Sequence, residues 1–266
     1  MKKKITLALT ALFVISALGY SNTFSLKMNY VIPRAQSGPS WQDSLWTIEF
    51  DNMDFTKSHF QGMSLGLSYE YFLTRELSLE FSIDAFYHKD NSGLYRDYVG
   101  FELDNEWWAV PSEYDKYMDV DTFSTGHRLD ISITPVQLSL KIAPFGRRNK
   151  LIPYVGAGVG VYFWSVRMSG DMIDFNDEYV YETTQGDELP VYPIYEVDAR
   201  EGENLGKVSF GYHVLGGLMF SLTNALTLDI GFKYHMAKGK FTEGFEGFAP
   251  FDLGGYHISL GLNYWF

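Results

Sequence analysis

Cysteine, long apolar stretches and basic residues are absent or scarce in this chain of 266 residues. Without cysteine there is no disulfide framework, thiolate metal ligand or thiol nucleophile. After the first 20 residues no run approaches the roughly 20 apolar residues that a membrane-spanning helix requires. There are 21 Lys and Arg against 33 Asp and Glu, a formal net charge of -12. Nucleic-acid binding depends on basic side chains that neutralise phosphates, so this balance argues against a nucleic-acid partner.

The N-terminus has the form of a secretory signal peptide. Three lysines at positions 2–4 precede an apolar run over 5–18, and the small residues Ala17 and Gly19 suit signal peptidase cleavage. The run is short for a spanning helix. We therefore predict a cleaved signal peptide at residues 1–19 and one domain over residues 20–266.

The chain is rich in segments in which apolar and polar residues alternate. In the last eleven residues the apolar set falls on every second position: Tyr256, Ile258, Leu260, Leu262, Tyr264 and Phe266. Alternate side chains of a strand point to opposite faces, and a membrane barrel shows lipid one face and its interior the other. The same alternation recurs in residues 24–32, 63–71, 77–88, 128–142, 151–164, 207–222 and 226–236.

Short turns between these segments alternate with long connections at 34–61, 89–127, 165–206 and 237–252. This order predicts an all-β fold: an eight-stranded antiparallel up-and-down transmembrane β-barrel with long extracellular loops. Such a barrel belongs in the cell outer membrane, with N- and C-termini periplasmic. In the fourth segment the apolar residues change from odd-numbered to even-numbered positions at Thr134–Pro135. We therefore expect a bulge there that keeps Leu129, Ile131 and Ile133 facing lipid.

Aromatic residues are predicted to form two belts on the outer wall. The belt at the long-loop end contains Tyr30, Tyr87, Phe163, Phe210, Tyr234 and Tyr256, and the other contains Phe24, Tyr71, Phe220, Tyr264 and Phe266. The terminal pair Tyr264 and Phe266 also resembles the C-terminal assembly signal of bacterial outer-membrane proteins. Expected partners are therefore outer-membrane lipid, lipopolysaccharide and the barrel-assembly machinery.

The inward positions carry charges of both signs, which predicts a lumen network of ion pairs rather than a pore selective for one sign. Its expected members are Lys27, Glu70, Glu80, Asp84, Asp130, Lys141, Asp229 and Lys233. Gly156, Gly158 and Gly160 also face inward. They either make room for bulky neighbours such as Tyr154, Tyr162 and Trp164 or widen a ligand passage.

The sequence predicts no enzyme, cofactor or metal site. The G-x-G-x-G pattern lies inside a strand with no helix after it, so phosphate binding is not expected. Inward histidines at positions 88, 213, 235 and 257 lack short ligand spacing. His257-x-Ser259 lacks a following acidic partner, so a nucleophile, base and orienting group are not jointly visible.

The long connections contain most of the acidic residues, interspersed with aromatics such as Trp107 and Trp108. Tyr179–Tyr181 and Val191–Tyr192 are expected to pair as a hairpin above the membrane. Aromatics exposed among charges favour a recognition surface, and the alternative is a solvated acidic surface without a partner.

Two stretches resemble a known family. Pro135-Val136-Gln137-Leu138-Ser139-Leu140-Lys141 and Ile152-Pro153-Tyr154-Val155-Gly156-Ala157-Gly158-Val159-Gly160 are similar to the small outer-membrane barrels that include OmpW, as are residues 73–80 and 261–266. The resemblance implies an eight-stranded barrel that passes small hydrophobic molecules, and it does not cover the acidic loops. We therefore expect a non-enzymatic, narrow passive channel for small hydrophobic solutes. The alternative is a structural or adhesive surface protein with a closed barrel and recognition loops.

Overall fold

The computed structural model describes residues 22–34, 61–146, 149–197, 203–241 and 250–266. The expected signal peptide and most of the first long connection lie outside these ranges. No helix within them has the length and apolar character needed to cross a membrane.

Eight long strands form the wall of a closed antiparallel barrel. They are β1 (Asn22–Pro33), β2 (Gly62–Phe72), β3 (Leu77–Leu94), β7 (Gly126–Ile142), β8 (Leu151–Ile173), β11 (Glu203–Ser221), β12 (Leu226–Gly239) and β14 (Gly255–Trp265). Neighbours in space run β1-β2-β3-β7-β8-β11-β12-β14, and β14 pairs with β1 to close the wall. Because no edge is left open, every wall strand has a partner on both sides. The predicted fold is confirmed.

Shorter elements extend the wall at the long-loop end. They are β4 (Tyr98–Leu103), β5 (Glu106–Pro111), a 3-10 helix (Ser112–Tyr117), β6 (Thr122–Phe123), β9 (Tyr179–Glu182), β10 (Glu188–Val197) and β13 (Phe251–Asp252). Here "the cap" denotes residues 98–123 and 174–197. Pairing of β9 with β10 confirms the expected hairpin, since Tyr179 lies opposite Val191.

Side chains alternate along the wall as the sequence predicted for most of its length. On β1, Phe24, Leu26, Met28 and Tyr30 are exposed on the outer face, while Ser25, Lys27, Asn29 and Val31 are buried inside. The outer face is therefore apolar where lipid surrounds it, and the inner face is polar.

The expected bulge at Thr134–Pro135 is wrong. The β7–β8 register runs from His127 to Ile142 without a shift, so Leu129, Ile131 and Ile133 face inward, opposite Met168, Val166 and Trp164. The β3–β7 pairing skips the position of Pro135, which has no N–H to donate, and then resumes in the same register. The apolar residues of β7 change from the outer to the inner face toward this end, because here the strand encloses an apolar interior and turns its outer face to polar surroundings.

Candidate functional site

The lower half of the lumen, at the end with the short turns, contains a buried group of ion pairs. Lys141 Nζ lies 2.8 Å from Glu70 Oε2 and 2.9 Å from Glu80 Oε2, and Lys27 Nζ lies 3.0 Å from Glu80 Oε1. These four charged side chains are less than 10% exposed. Ser78 donates a further hydrogen bond to Glu70. Buried charges are tolerated when they are paired and hydrogen-bonded in this way.

A second ion pair lies nearer the long-loop end. Lys233 Nζ lies 3.2 Å from Asp84 Oδ2 and donates to Gln137 Oε1 at 2.8 Å. Asn29 donates to the other oxygen of Asp84 at 3.1 Å. Since β12 and β3 are four strands apart in a ring of eight, the Lys233–Asp84 pair crosses the lumen.

The two remaining predicted lumen charges lie on opposite faces of the wall, Asp229 on the inner face and Asp130 on the outer face. Asp229 is buried and accepts a 2.8 Å hydrogen bond from Tyr154, whose ring lies 4.4 Å from Lys141 Nζ. Asp130, by contrast, lies outside this network. Its carboxylate accepts from Arg128 Nε at 2.9 Å, and the unbroken register of β7 places it on the same face as the outward Leu138. Its expected place in the lumen depended on the bulge that does not exist.

Above the second ion pair, three histidine rings lie in sequence across neighbouring strands. The His213 and His235 centroids are 5.9 Å apart, and those of His235 and His257 are 4.1 Å apart. His213 Nε2 contacts Ser139 at 2.8 Å, and His235 Nδ1 contacts Gln137 at 2.9 Å. Within the described part of the chain, no three His, Cys, Asp or Glu residues are grouped as a metal site. Ser259 lies on the same strand as His257 and lines a small internal cavity.

Two apolar clusters, called here the upper and lower plugs, lie at the two ends of the polar layer. The upper plug, at the long-loop end, consists of Leu129, Ile131, Tyr162, Trp164, Val166 and Phe251, all less than 5% exposed. The lower plug contains Ile152, Met219 and Trp265, and the Trp265 ring lies 5.2 Å from that of Phe72. Among the described residues, one cavity lies beside His235 and His257 and another beside Lys27 and Lys233, each of about 20 Å³. Each has room for about one water molecule.

The inward glycines of β8 permit close packing of the lumen. A Cβ at Gly158 would lie 2.8 Å from His213, one at Gly156 would lie 3.2 Å from Leu215, and one at Gly160 would lie 2.9 Å from Gln137. Of the two roles considered for these glycines, the structure supports the first, in which they leave room for neighbouring side chains. The neighbours include His213 and Gln137, whereas the sequence pattern suggested Tyr154, Tyr162 and Trp164.

The cap has a hydrophobic core of its own. Phe101, Val110, Leu189 and Val191 are less than 5% exposed and are packed against Trp108 and Tyr181 among other side chains. The β4–β5 hairpin turns through Asp104 and Asn105, both with positive φ, as a two-residue hairpin turn requires. Tyr192 donates to Glu178 at 2.8 Å, and burial together with this carboxylate raises the pKa of Tyr192 to about 12. Strand pairing, a core and polar contacts together make the cap a folded module.

A cleft of about 530 Å³ opens on the side of the cap where β10 changes partner. Tyr192 and Pro193 of β10 pair with β5, whereas Ile194 to Val197 pair with β8. The two sheets diverge at this point. The cleft is lined by Asn105, Glu106, Trp107, Trp108, Asp177, Tyr179, Pro193, Ile194, Tyr195 and Glu196. We call it the hand-over cleft.

The last residues lie as the sequence pattern predicts. Tyr264 and Phe266 are each 53% exposed on the outer wall, and their rings stack with centroids 6.1 Å apart. Backbone bonds between Phe266 and Asn22 complete the closure between the two ends of the barrel domain. A role for these rings in assembly remains a prediction.

Comparison with known proteins identifies relatives of this architecture. Residues 99–266 match the family described as Opacity family porin protein. A search of curated proteins finds no significant match. Among solved structures, the chain is similar to the outer membrane protein OprG from Pseudomonas aeruginosa, with 13% identity and a TM-score of 0.48, covering 93% of this chain and 96% of that one.

The chain is similar to two further solved structures. Neisserial surface protein A is 14% identical with a TM-score of 0.45, covering 91% of this chain and 96% of that one. The outer membrane protein W of E. coli is 13% identical with a TM-score of 0.40, covering 94% and 100% respectively.

The family match spans more than half of the chain and includes the cap together with five of the eight wall strands. The resemblance to small outer-membrane barrels that the sequence shows is thereby confirmed. The chain belongs to the Opacity family of porin proteins, which are outer-membrane β-barrels.

Proposed function

We propose that this protein is a closed-barrel surface protein whose cap, on the extracellular side, recognises a partner. This is the second of the two functions that the sequence suggests. The observation that carries the proposal is the ion pair between Lys233 and Asp84, which joins opposite walls of the lumen.

The interior of the described barrel supports this choice over a passive channel. A solute following the barrel axis meets the upper plug, the histidine layer, two sets of ion pairs and the lower plug in turn. The lumen cavities of about 20 Å³ hold a water molecule rather than a hydrophobic solute. Passage would require breaking buried ion pairs, each of which is costly to separate in a low-dielectric interior.

The cap supports a recognition role because it is folded and still exposes aromatic side chains. Trp107 is 40% exposed, Tyr179 is 47% exposed and Tyr195 is 53% exposed. Exposed Trp and Tyr beside a formed cleft are typical of binding surfaces. We include in this proposal that the protein is not an enzyme and that both termini are periplasmic.

The two functions are separated by measuring transport with the purified protein and adhesion with whole bacteria that express it. We expect the purified full chain in planar bilayers to show no steady conductance and in liposomes to show no uptake of small hydrophobic solutes beyond protein-free liposomes. Whole bacteria expressing the protein should adhere to a host-cell surface. This adhesion should be lost when the β4–β5 hairpin, residues 98–111, is replaced by a short Gly-Ser linker. Solute uptake that saturates with concentration would overturn the closed-barrel proposal in favour of the channel.

A further inference from the structure

The hand-over cleft combines two open strand edges with exposed aromatic rings. After Pro193, β10 leaves β5, and the Pro193 carbonyl accepts from Asp174 N at 3.0 Å. Among the described residues, Glu106 and Trp107 of β5 pair only with β4, and Tyr195 and Glu196 of β10 pair only with β8. Each strand therefore has an edge without a strand partner at the cleft. An extended peptide can add itself to such an edge through its backbone.

The aromatic rings at the cleft are held in place. The Trp108 ring meets the Tyr179 ring edge to face at 5.1 Å, and the Trp107 ring meets Phe123 in the same way at 5.8 Å. The Tyr179 hydroxyl donates to Asp177 at 3.1 Å. Rings fixed in this way while partly exposed are suited to contact a cation through their faces.

The charge at the cleft has one sign. Its lining includes the carboxylates of Glu106, Asp177 and Glu196 and contains no lysine or arginine. All three carboxylate residues are exposed. Carboxylates beside Trp and Tyr faces attract ammonium and guanidinium groups and repel sulfate, phosphate and carboxylate groups.

We infer that the hand-over cleft binds an extended peptide segment rich in arginine or lysine. Its backbone adds to the open edge of β5 or β10, and its cationic side chains lie between the carboxylates and the aromatic rings. This inference rests on the proposed function and specifies its ligand class. It requires charge complementarity with the cleft, which a sulfated glycan would not have.

The test uses the full chain in lipid nanodiscs and a synthetic peptide of alternating arginine and threonine. We expect saturable binding, measured by calorimetry and by a change in tryptophan fluorescence. Affinity should fall as NaCl rises from 50 to 500 mM, because exposed charges are screened. The double variant Glu106→Gln/Glu196→Gln should lose affinity by about tenfold.

A matched control removes the same charge elsewhere on the cap. Glu102→Gln/Asp121→Asn alters a neighbouring acidic surface outside the cleft and should bind the peptide as the unmodified chain does. Tyr195→Ala should weaken binding without any change in net charge, which a diffuse electrostatic attraction would not explain. Far-ultraviolet circular dichroism and heat-modifiable gel mobility verify that each variant is folded.

Three results would overturn the inference. The first is equal loss of affinity in the control and cleft variants, which would indicate non-specific attraction to an acidic surface. The second is tighter binding of a heparin oligosaccharide than of the peptide. The third is absence of peptide binding. If cap-dependent adhesion persists in the third case, only the ligand class is wrong, whereas solute uptake by the barrel would overturn the proposed function itself.

Discussion

Lys233 on β12 and Asp84 on β3 are 149 positions apart in the sequence, and their side chains meet at 3.2 Å inside the barrel. The pair therefore connects strands on opposite sides of the wall. Asn29 and Gln137 add hydrogen bonds at each end of it. The proposed closed barrel depends on this contact across the lumen.

Removing one member of this pair should destabilise the barrel. Asp84→Ala leaves a buried ammonium group without its carboxylate, and we expect the free energy of unfolding to fall by about 3–5 kcal/mol. The double variant Asp84→Ala/Lys233→Met should recover part of this loss, because no unpaired charge remains. Urea unfolding in lipid vesicles, followed by tryptophan fluorescence, measures both. An Asp84→Ala variant as stable as the unmodified chain would contradict the assigned contact.

Adding a side chain at an inward glycine should also destabilise the barrel. Gly158→Ala introduces a Cβ that meets both the Leu138 carbonyl and the His213 ring, so the wall must shift. We expect a loss of about 1–3 kcal/mol, as for other overpacked interiors. The adjacent outward residue provides the control, since Ala157→Val adds volume toward lipid and should leave the unfolding midpoint nearly unchanged. Equal effects of the two changes would show that Gly158 is not packed in this way.

The cap should unfold independently of the barrel wall. Phe101 is fully buried in the cap core, and Phe101→Ala should cost about 3–5 kcal/mol there. Protease added to intact cells is then expected to cut within residues 98–123, while the membrane-embedded part keeps its heat-modifiable mobility. The exposed Val180, 65% accessible on β9, gives a control: Val180→Ala should leave protease resistance intact. Loss of the folded barrel in Phe101→Ala would instead indicate that cap and wall fold as one unit.

The eight wall strands were predictable because lipid and lumen impose a period of two on each of them. The same rule failed at Leu129, Ile131 and Asp130, where it required a bulge to keep apolar residues outward. Beyond the belt of Tyr87 and Phe163 the interior is apolar and the outer face is polar, so the unbroken strand reverses its pattern. A rule based on one environment per face does not anticipate this reversal.

The hand-over cleft could not be predicted for a different reason. It depends on a change of partner within β10: Tyr192 and Pro193 pair with β5 residues 83 and 85 positions earlier, and the next residues pair with β8 residues 21 to 27 positions earlier. The β9–β10 hairpin was predictable, since its partners are close in sequence and both show strand-like alternation. A signal for the cleft existed in Trp107, Trp108 and Tyr179 among acidic neighbours, but only the long-range pairing brings these residues together.

We expect Phe266 to act in assembly of the barrel and Trp265 to act in the stability of the assembled barrel. Phe266 is exposed on the outer wall and stacks on Tyr264, whereas Trp265 points inward, contacts Phe72 and donates to Thr227 at 3.1 Å. We therefore expect Phe266→Ser to lower the amount of folded protein in the outer membrane, with little effect on the stability of the protein that does assemble. Trp265→Ala should assemble but lose about 3 kcal/mol, because it opens the lower plug.

The measurement combines heat-modifiable mobility in membrane fractions with urea unfolding of each purified variant. Phe210→Ser is the matched control, since Phe210 is an outer-wall aromatic that is 79% exposed but lies far from the terminus. If Phe210→Ser lowers folded yield as much as Phe266→Ser, the effect reflects lost apolar surface and not a terminal signal. If folded yield is normal without the Phe266 ring, the terminal residue is not an assembly determinant. In that case the pairing of β14 with β1 closes the barrel without a contribution from the Phe266 ring.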